Sequence, residues 1–115
     1  AVAEGVAFID YPFSSEPEVT DSEKLARFKK EYYEKYNVYP GSAPINGYDS
    51  VMVLATAMKS AKSLDPESVS AYLTTSLGEY EGVSGKFRFN PDCEVERESV
   101  MRVIKDGKVE GVKYQ

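Results

Sequence analysis

Near Gly78 the hydrophobic period of the chain changes from that of a helix to that of a strand, and this switch limits the architecture more than any single residue does. Upstream, Leu25, Phe28, Tyr32 and Tyr36 recur at spacings of three and four. That spacing predicts an amphipathic helix, with Lys24, Lys29, Lys30, Glu31, Glu34 and Lys35 on its remaining faces. Thr20 with Glu23 three residues later has capping-box form and sets the helix start. Residues 37–47 hold two prolines and two glycines and read as a loop. A second helix is expected from about Gly47 to Ser63, packing through Val51, Leu54, Ala55, Met58 and Ala61. Asp65-Pro66 then supplies a cap and a first-position proline for a third helix, carrying Val69, Tyr72, Leu73 and Leu77 and closed by Gly78.

Downstream, Lys86 to Asn90 alternates with Phe87 and Phe89 on one face, and Pro91-Asp92 turns. Val100–Ile104 and Lys108–Tyr114 flank Asp106-Gly107, a two-residue hairpin signal. The acidic cluster from Asp92 to Glu98, mixed with Arg97, reads as a solvated loop. Ahead of the helices, Glu4 to Asp10 is apolar on both faces, which suits an interior strand of a parallel sheet. The connection that follows, YPFSSEPEVT, breaks all periodicity with Pro12 and Pro17 and is the best linker candidate. Helices followed by strands, with one buried strand in front, make an α/β chain.

Composition narrows the function classes. The 115 residues suffice for one modest domain, and their net charge of −5 disfavours nucleic acid or an anionic membrane as partner. Histidine is absent and Cys93 is the single cysteine, so hydrolytic triads, zinc sites and an internal disulfide lose their usual parts. No cofactor and no metal are expected. No apolar run approaches the length of a membrane span, and no signal peptide or anchor is expected within these residues.

Five motifs in order resemble the C-terminal third of type I periplasmic solute-binding proteins, the branched-chain amino acid (leucine, isoleucine, valine) receptors of ABC importers. They are Ala3-Glu4-Gly5 opening a strand, the Phe28-x3-Tyr32-x3-Tyr36 helix, Tyr48-Asp49-Ser50 opening a run of small residues, Gly82-Val83-Ser84-Gly85 with Phe87 and Phe89, and the terminal Ile104-x-Asp106-Gly107-Lys108 hairpin. One departure stands out: a glycine commonly follows the aspartate of the turn after Phe89, where this chain has Asp92-Cys93. The resemblance implies a portion of a fold with two Rossmann-like lobes, contributing three helices plus strands and a terminal hairpin. It assigns residues 1–10 to the second lobe, 11–20 to a hinge or linker, 21–90 to the first lobe, and 91–115 to the hinge return and hairpin.

It implies, too, a non-enzymatic ligand-binding component that takes a small amino acid in an interlobe cleft and presents it to ABC permease subunits. The expected location is periplasmic or extracellular, with a lipoprotein anchor allowed. A sensory or regulatory domain of the same fold is the alternative, and an unpaired leading strand adds self-association as an expectation. An enzyme working through Asp49 or Asp92 lacks an evident second carboxylate.

Within the resemblance, Glu4 is the carboxylate that accepts a ligand's α-ammonium group, against its plain reading as an exposed glutamate at a strand start. Tyr11 covers the cleft mouth or, with Phe13, packs the crossing segments. Ala43 and Pro44, in the loop before Tyr48, line the side-chain pocket, while Tyr48 itself caps helix packing. Tyr32, Tyr33, Tyr36 and Tyr39 look like a sugar-stacking platform, yet their helical spacing favours burial in the core. Cys93 has no neighbour to activate its thiol.

Overall fold

The computed structural model describes residues 3–112, which divide into two units: residues up to Pro12 together with those from Glu98 onward, and Phe13–Arg97. The first is an antiparallel three-stranded sheet in the order β1 (Ala7–Asp10), β5 (Val100–Lys105), β6 (Lys108–Gly111). Ala7 pairs with Val103 and Asp10 with Val100, while Lys105 pairs with Lys108 across the expected Asp106-Gly107 turn. Both turn residues have positive φ, 51° and 73°, as a two-residue primed turn requires. Lys113 and Tyr114, the far end of the expected second hairpin strand, lie outside the described residues, as do Ala1 and Val2.

The front strand corrects the sequence reading. Among the described residues β1 is an edge strand with antiparallel pairing, not an interior parallel one, and Ile9 is 74% exposed. An apolar residue on each face signals that both faces can be covered, and carries no information about strand direction.

The second unit holds three helices and a three-stranded antiparallel sheet: α1 (Glu23–Tyr36), α2 (Ser42–Ala61), α3 (Pro66–Thr75), β2 (Tyr80–Gly82), β3 (Gly85–Phe89) and β4 (Val95–Arg97). Ser22, not Thr20, caps α1: its side chain accepts from the Leu25 amide at 3.2 Å, and Thr20 instead donates to the Glu18 carboxylate. Asn37 ends the helix in the left-handed region, its N–H returning to the Tyr33 carbonyl. α2 starts five residues before the expected Gly47, because Pro44 falls in its first turn, where no intrahelical N–H is needed. Its buried face also differs from the expected one. Ile45, Asp49, Val53 and Ala57 point inward, while Val51 is 68% exposed. Asp65 caps α3 as expected, accepting from the Ser68 amide at 2.9 Å ahead of Pro66.

Phe13, Leu25, Ile45 and Val83 form the core, with Phe28 packed against it. Phe13 is thus a packing residue. The tyrosines are not core: Tyr33 and Tyr36 are 40% and 54% exposed, and the rings pair along the surface, Tyr32 with Tyr36 at 4.6 Å and Tyr33 with Tyr39 at 4.5 Å. Of the helical stripe only Leu25 and Phe28 reach the core cluster, while Tyr39 lies beyond the end of α1. The acidic stretch holds a strand rather than only a loop, β4, in which Arg97 pairs with Phe87 of β3.

Candidate functional site

Glu4 sits beside the sheet of the first unit, with its carboxylate turned onto the β5–β6 turn. Oε1 accepts from the Asp106 amide at 2.8 Å and Oε2 from the Gly107 amide at 3.3 Å. The Gly5 amide donates to the Ile104 carbonyl at 2.8 Å and the Ala3 carbonyl accepts from the Val6 amide at 3.2 Å, so the backbone on both sides of the glutamate is fixed. Each oxygen carries two lone pairs, and one amide on each leaves acceptor capacity on the exposed side. The arrangement gives an oriented carboxylate able to take a further ammonium. In the same unit Tyr11 is 37% exposed, its amide donating to Asp10 Oδ1 at 2.8 Å and its carbonyl accepting from Arg102 at 3.4 Å. Arg102 also pairs with Asp10 at 3.0 Å.

In the second unit, Ala43 and Pro44 occupy the first turn of α2 rather than a loop; Ala43 is exposed and Pro44 half-buried. Glycine caps this helix and supplies no side-chain bond. One turn further along, Tyr48 packs its ring on Phe28 at 5.1 Å. These two flank a surface cleft of about 320 Å³ whose wall includes Lys24, Arg27 and Met52. The Arg27 guanidinium is held above its ordinary value by the Glu31 carboxylate, which bonds its Nε at 2.8 Å.

Asp49 is spent on structure. Oδ1 accepts from the Val83 amide at 2.8 Å, and Oδ2 from both the amide and the hydroxyl of Ser84, at 2.8 and 2.5 Å. A Cβ on Gly82 would lie 2.3 Å from that carboxylate, so the glycine is required by close approach. The Tyr-Asp and Gly-Val-Ser-Gly motifs are therefore two halves of one joint between α2 and the β2–β3 turn. An acid–base role for Asp49 would break that joint.

Sequence reasoning missed two polar residues. Lys29 was expected on an exposed face, yet it is fully buried, its ammonium donating to Asp21 at 2.7 and 2.8 Å and to the Glu16 carbonyl at 2.8 Å. Arg97 donates to Asn46 Oδ1 at 3.0 Å and to the Ser84 carbonyl at 2.7 Å. A lone arginine within an acidic run was the available signal. Cys93 is exposed, 3.8 Å from the Ser70 hydroxyl. Among the described residues no group of three metal-ligating side chains occurs, and no helix is long and apolar enough to cross a membrane.

Residues 1–108 match the family model for periplasmic binding proteins. The chain belongs to that family. Among solved structures, this periplasmic binding protein chain is similar to the branched-chain amino acid transporter substrate-binding protein LivJ from Streptococcus pneumoniae in complex with isoleucine, at 30% identity and a TM-score of 0.66, over 97% of this chain and 31% of that one. An ABC transporter substrate-binding protein from Desulfitobacterium hafniense in complex with leucine gives 25% identity and a TM-score of 0.72, over 96% and 32%. A solute-binding protein from Rhodopseudomonas palustris in complex with 3,4-dihydroxybenzoic acid shares the fold at 20% identity and a TM-score of 0.72, over 97% and 30%. No curated protein matches. The periplasmic binding protein chain thus spans about a third of the length of these solved relatives.

Proposed function

We propose that this chain is the C-terminal part of a two-lobed, non-enzymatic receptor that binds a small amino acid, branched-chain by preference, and delivers it to an ABC permease from the periplasm or the cell exterior. The first unit supplies second-lobe material and the second unit first-lobe material, joined through residues 11–20 and the return after β4. Glu4 takes the ligand's ammonium, Ala43 and Pro44 line its side chain, and Tyr11 covers the mouth. The observation that carries this reading is the 30% identity to a LivJ protein whose structure holds isoleucine. Its support in geometry is a carboxylate oriented by two amides, Asp106 and Gly107, with acceptor capacity to spare. Lobe closure then removes water from around the ammonium and carboxylate, and charge-assisted bonds strengthen as the local dielectric falls.

The test is to purify the whole receptor that carries this segment, identify by mass spectrometry the small molecule that accompanies it, and titrate the emptied protein with leucine, isoleucine and valine. The expected result is a co-purifying branched-chain amino acid, affinity on the order of micromolar, and a loss of about tenfold or more in Glu4→Ala. A co-purifying aromatic acid, or Glu4→Ala binding as the wild type does, overturns the reading.

A further inference from the structure

Arg97 and Asn46 are 51 positions apart, yet they meet at 3.0 Å on the half-buried side of the second unit. Asn46 uses both ends of its amide. Its Oδ1 accepts from Arg97, and its Nδ2 donates at 2.9 Å to the carbonyl of Ser42, the first residue of α2. Arg97 is anchored in turn: its second guanidinium nitrogen reaches the Ser84 carbonyl at 2.7 Å, and the guanidinium lies 5.9 Å from the centre of the Phe87 ring, its partner across the β3–β4 ladder. Ser84 is itself gripped by buried Asp49. A continuous polar path therefore runs from the β2–β3 turn through Arg97 and Asn46 to the turn that carries Ala43 and Pro44. That turn needs an external hold. Its cap is Gly41, which offers no side-chain bond, and Pro44 contributes no N–H.

We infer that Arg97 is a positioning residue for ligand recognition, acting through Asn46 to fix the first turn of α2 against the β3–β4 sheet. The inference rests on the assignment of Ala43 and Pro44 to the ligand pocket made above. A fork of guanidinium donors sets direction as well as distance, so a lysine point charge cannot reproduce both bonds. Small displacements of a recognition group are costly in affinity even where the fold survives.

Two variants separate positioning from general stability. Asn46→Asp keeps an acceptor for Arg97, and makes it an ionic one, but loses the Nδ2 donor to Ser42. Arg97→Met keeps packing on Phe87 and loses both polar bonds. In the whole receptor titrated with leucine, each variant is expected to raise Kd by about tenfold. The Asn46→Asp melting temperature should stay at the wild-type value, and the double variant should bind no worse than Arg97→Met alone. Hydrogen exchange at the amides of residues 45 and 46 should accelerate in both. An unchanged Kd in Asn46→Asp, or losses of affinity that simply track melting temperature, overturns the inference. Should the wild-type receptor itself fail to bind leucine, the amino acid reading falls separately, and exchange at those two amides alone decides the role of Arg97: unchanged rates in both variants refute it.

Discussion

At Lys29 the energetic stakes of a single residue are clearest. Its ammonium and the Asp21 carboxylate are 0% and 3% exposed, and their pairing fastens the segment that follows Phe13 onto α1. Removing one partner strands the other charge in the interior, which costs about 3–5 kcal/mol, whereas replacing both with apolar groups is near neutral. Lys29→Met is therefore expected to lose that much in urea denaturation, and Lys29→Met with Asp21→Leu to recover most of it. A double variant as unstable as the single would show that the bonds to the backbone, not the ion pair, hold this segment. Cys93 offers the opposite case. It occupies the left-handed region at φ 63°, in a turn organised by Asn90, whose side chain accepts from the amides of Asp92 and Glu94 at 3.0 and 2.9 Å. The turn keeps a glycine conformation with a cysteine in it, so Cys93→Gly is expected to stabilise the chain by about 1 kcal/mol, read as a higher urea midpoint. A lower midpoint would mean that the thiol contact with Ser70 outweighs the backbone strain.

Elements differ in how far their causes reach along the chain, and that decides what was legible. The α3 cap, the Asp106-Gly107 turn and the β3 alternation are set by residues within a few positions of one another, and sequence alone locates them. The Asp49 joint spans 34 and 35 positions, and the hold of Arg97 on Asn46 spans 51, so no local pattern announces either. The buried face of α2 is not legible in this way, because the helix carries apolar residues all round and periodicity cannot choose between two apolar faces. Of the candidate site, the positions of Glu4, Tyr11, Ala43 and Pro44 were legible only through family resemblance; the amides that orient Glu4 come from 102 and 103 positions away. The α3 cap also carries a pH signature. Bonds from the Ser68 amide and hydroxyl hold the Asp65 carboxyl below its ordinary 3.8. A lowered folded-state value means stabilisation that is complete above the unfolded value and lost as pH falls through the folded one. The urea-midpoint difference between wild type and Asp65→Ala should therefore be flat above about pH 5 and shrink below pH 4. A difference that stays constant to pH 2 would remove the carboxylate from the cap.

For the molecule as a whole, the question is how much recognition these residues carry by themselves. Glu4 is exposed in the first unit, and Ala43 is exposed in the second. A carboxylate meeting an ammonium in water contributes at most about 1 kcal/mol, because solvent screens the pair and both partners surrender hydration. Even millimolar affinity needs about 4 kcal/mol, and the remainder must come from apolar burial and from bonds to the ligand's carboxylate. Val51 and Ile9, at 68% and 74% exposure, show that apolar surface in both units is itself uncovered. Singly exposed apolar side chains bind nothing by themselves, but β1 is an edge strand among the described residues, and an unpaired edge is a template for pairing with another chain. Calorimetry of the 115-residue chain against leucine is accordingly expected to give no saturable heat at millimolar ligand, and light scattering to give a mass above that of one copy. Micromolar leucine binding by this chain alone would locate a complete pocket within it and defeat the interlobe reading, because water-screened contacts of the kind Glu4 offers cannot reach that affinity without a second wall.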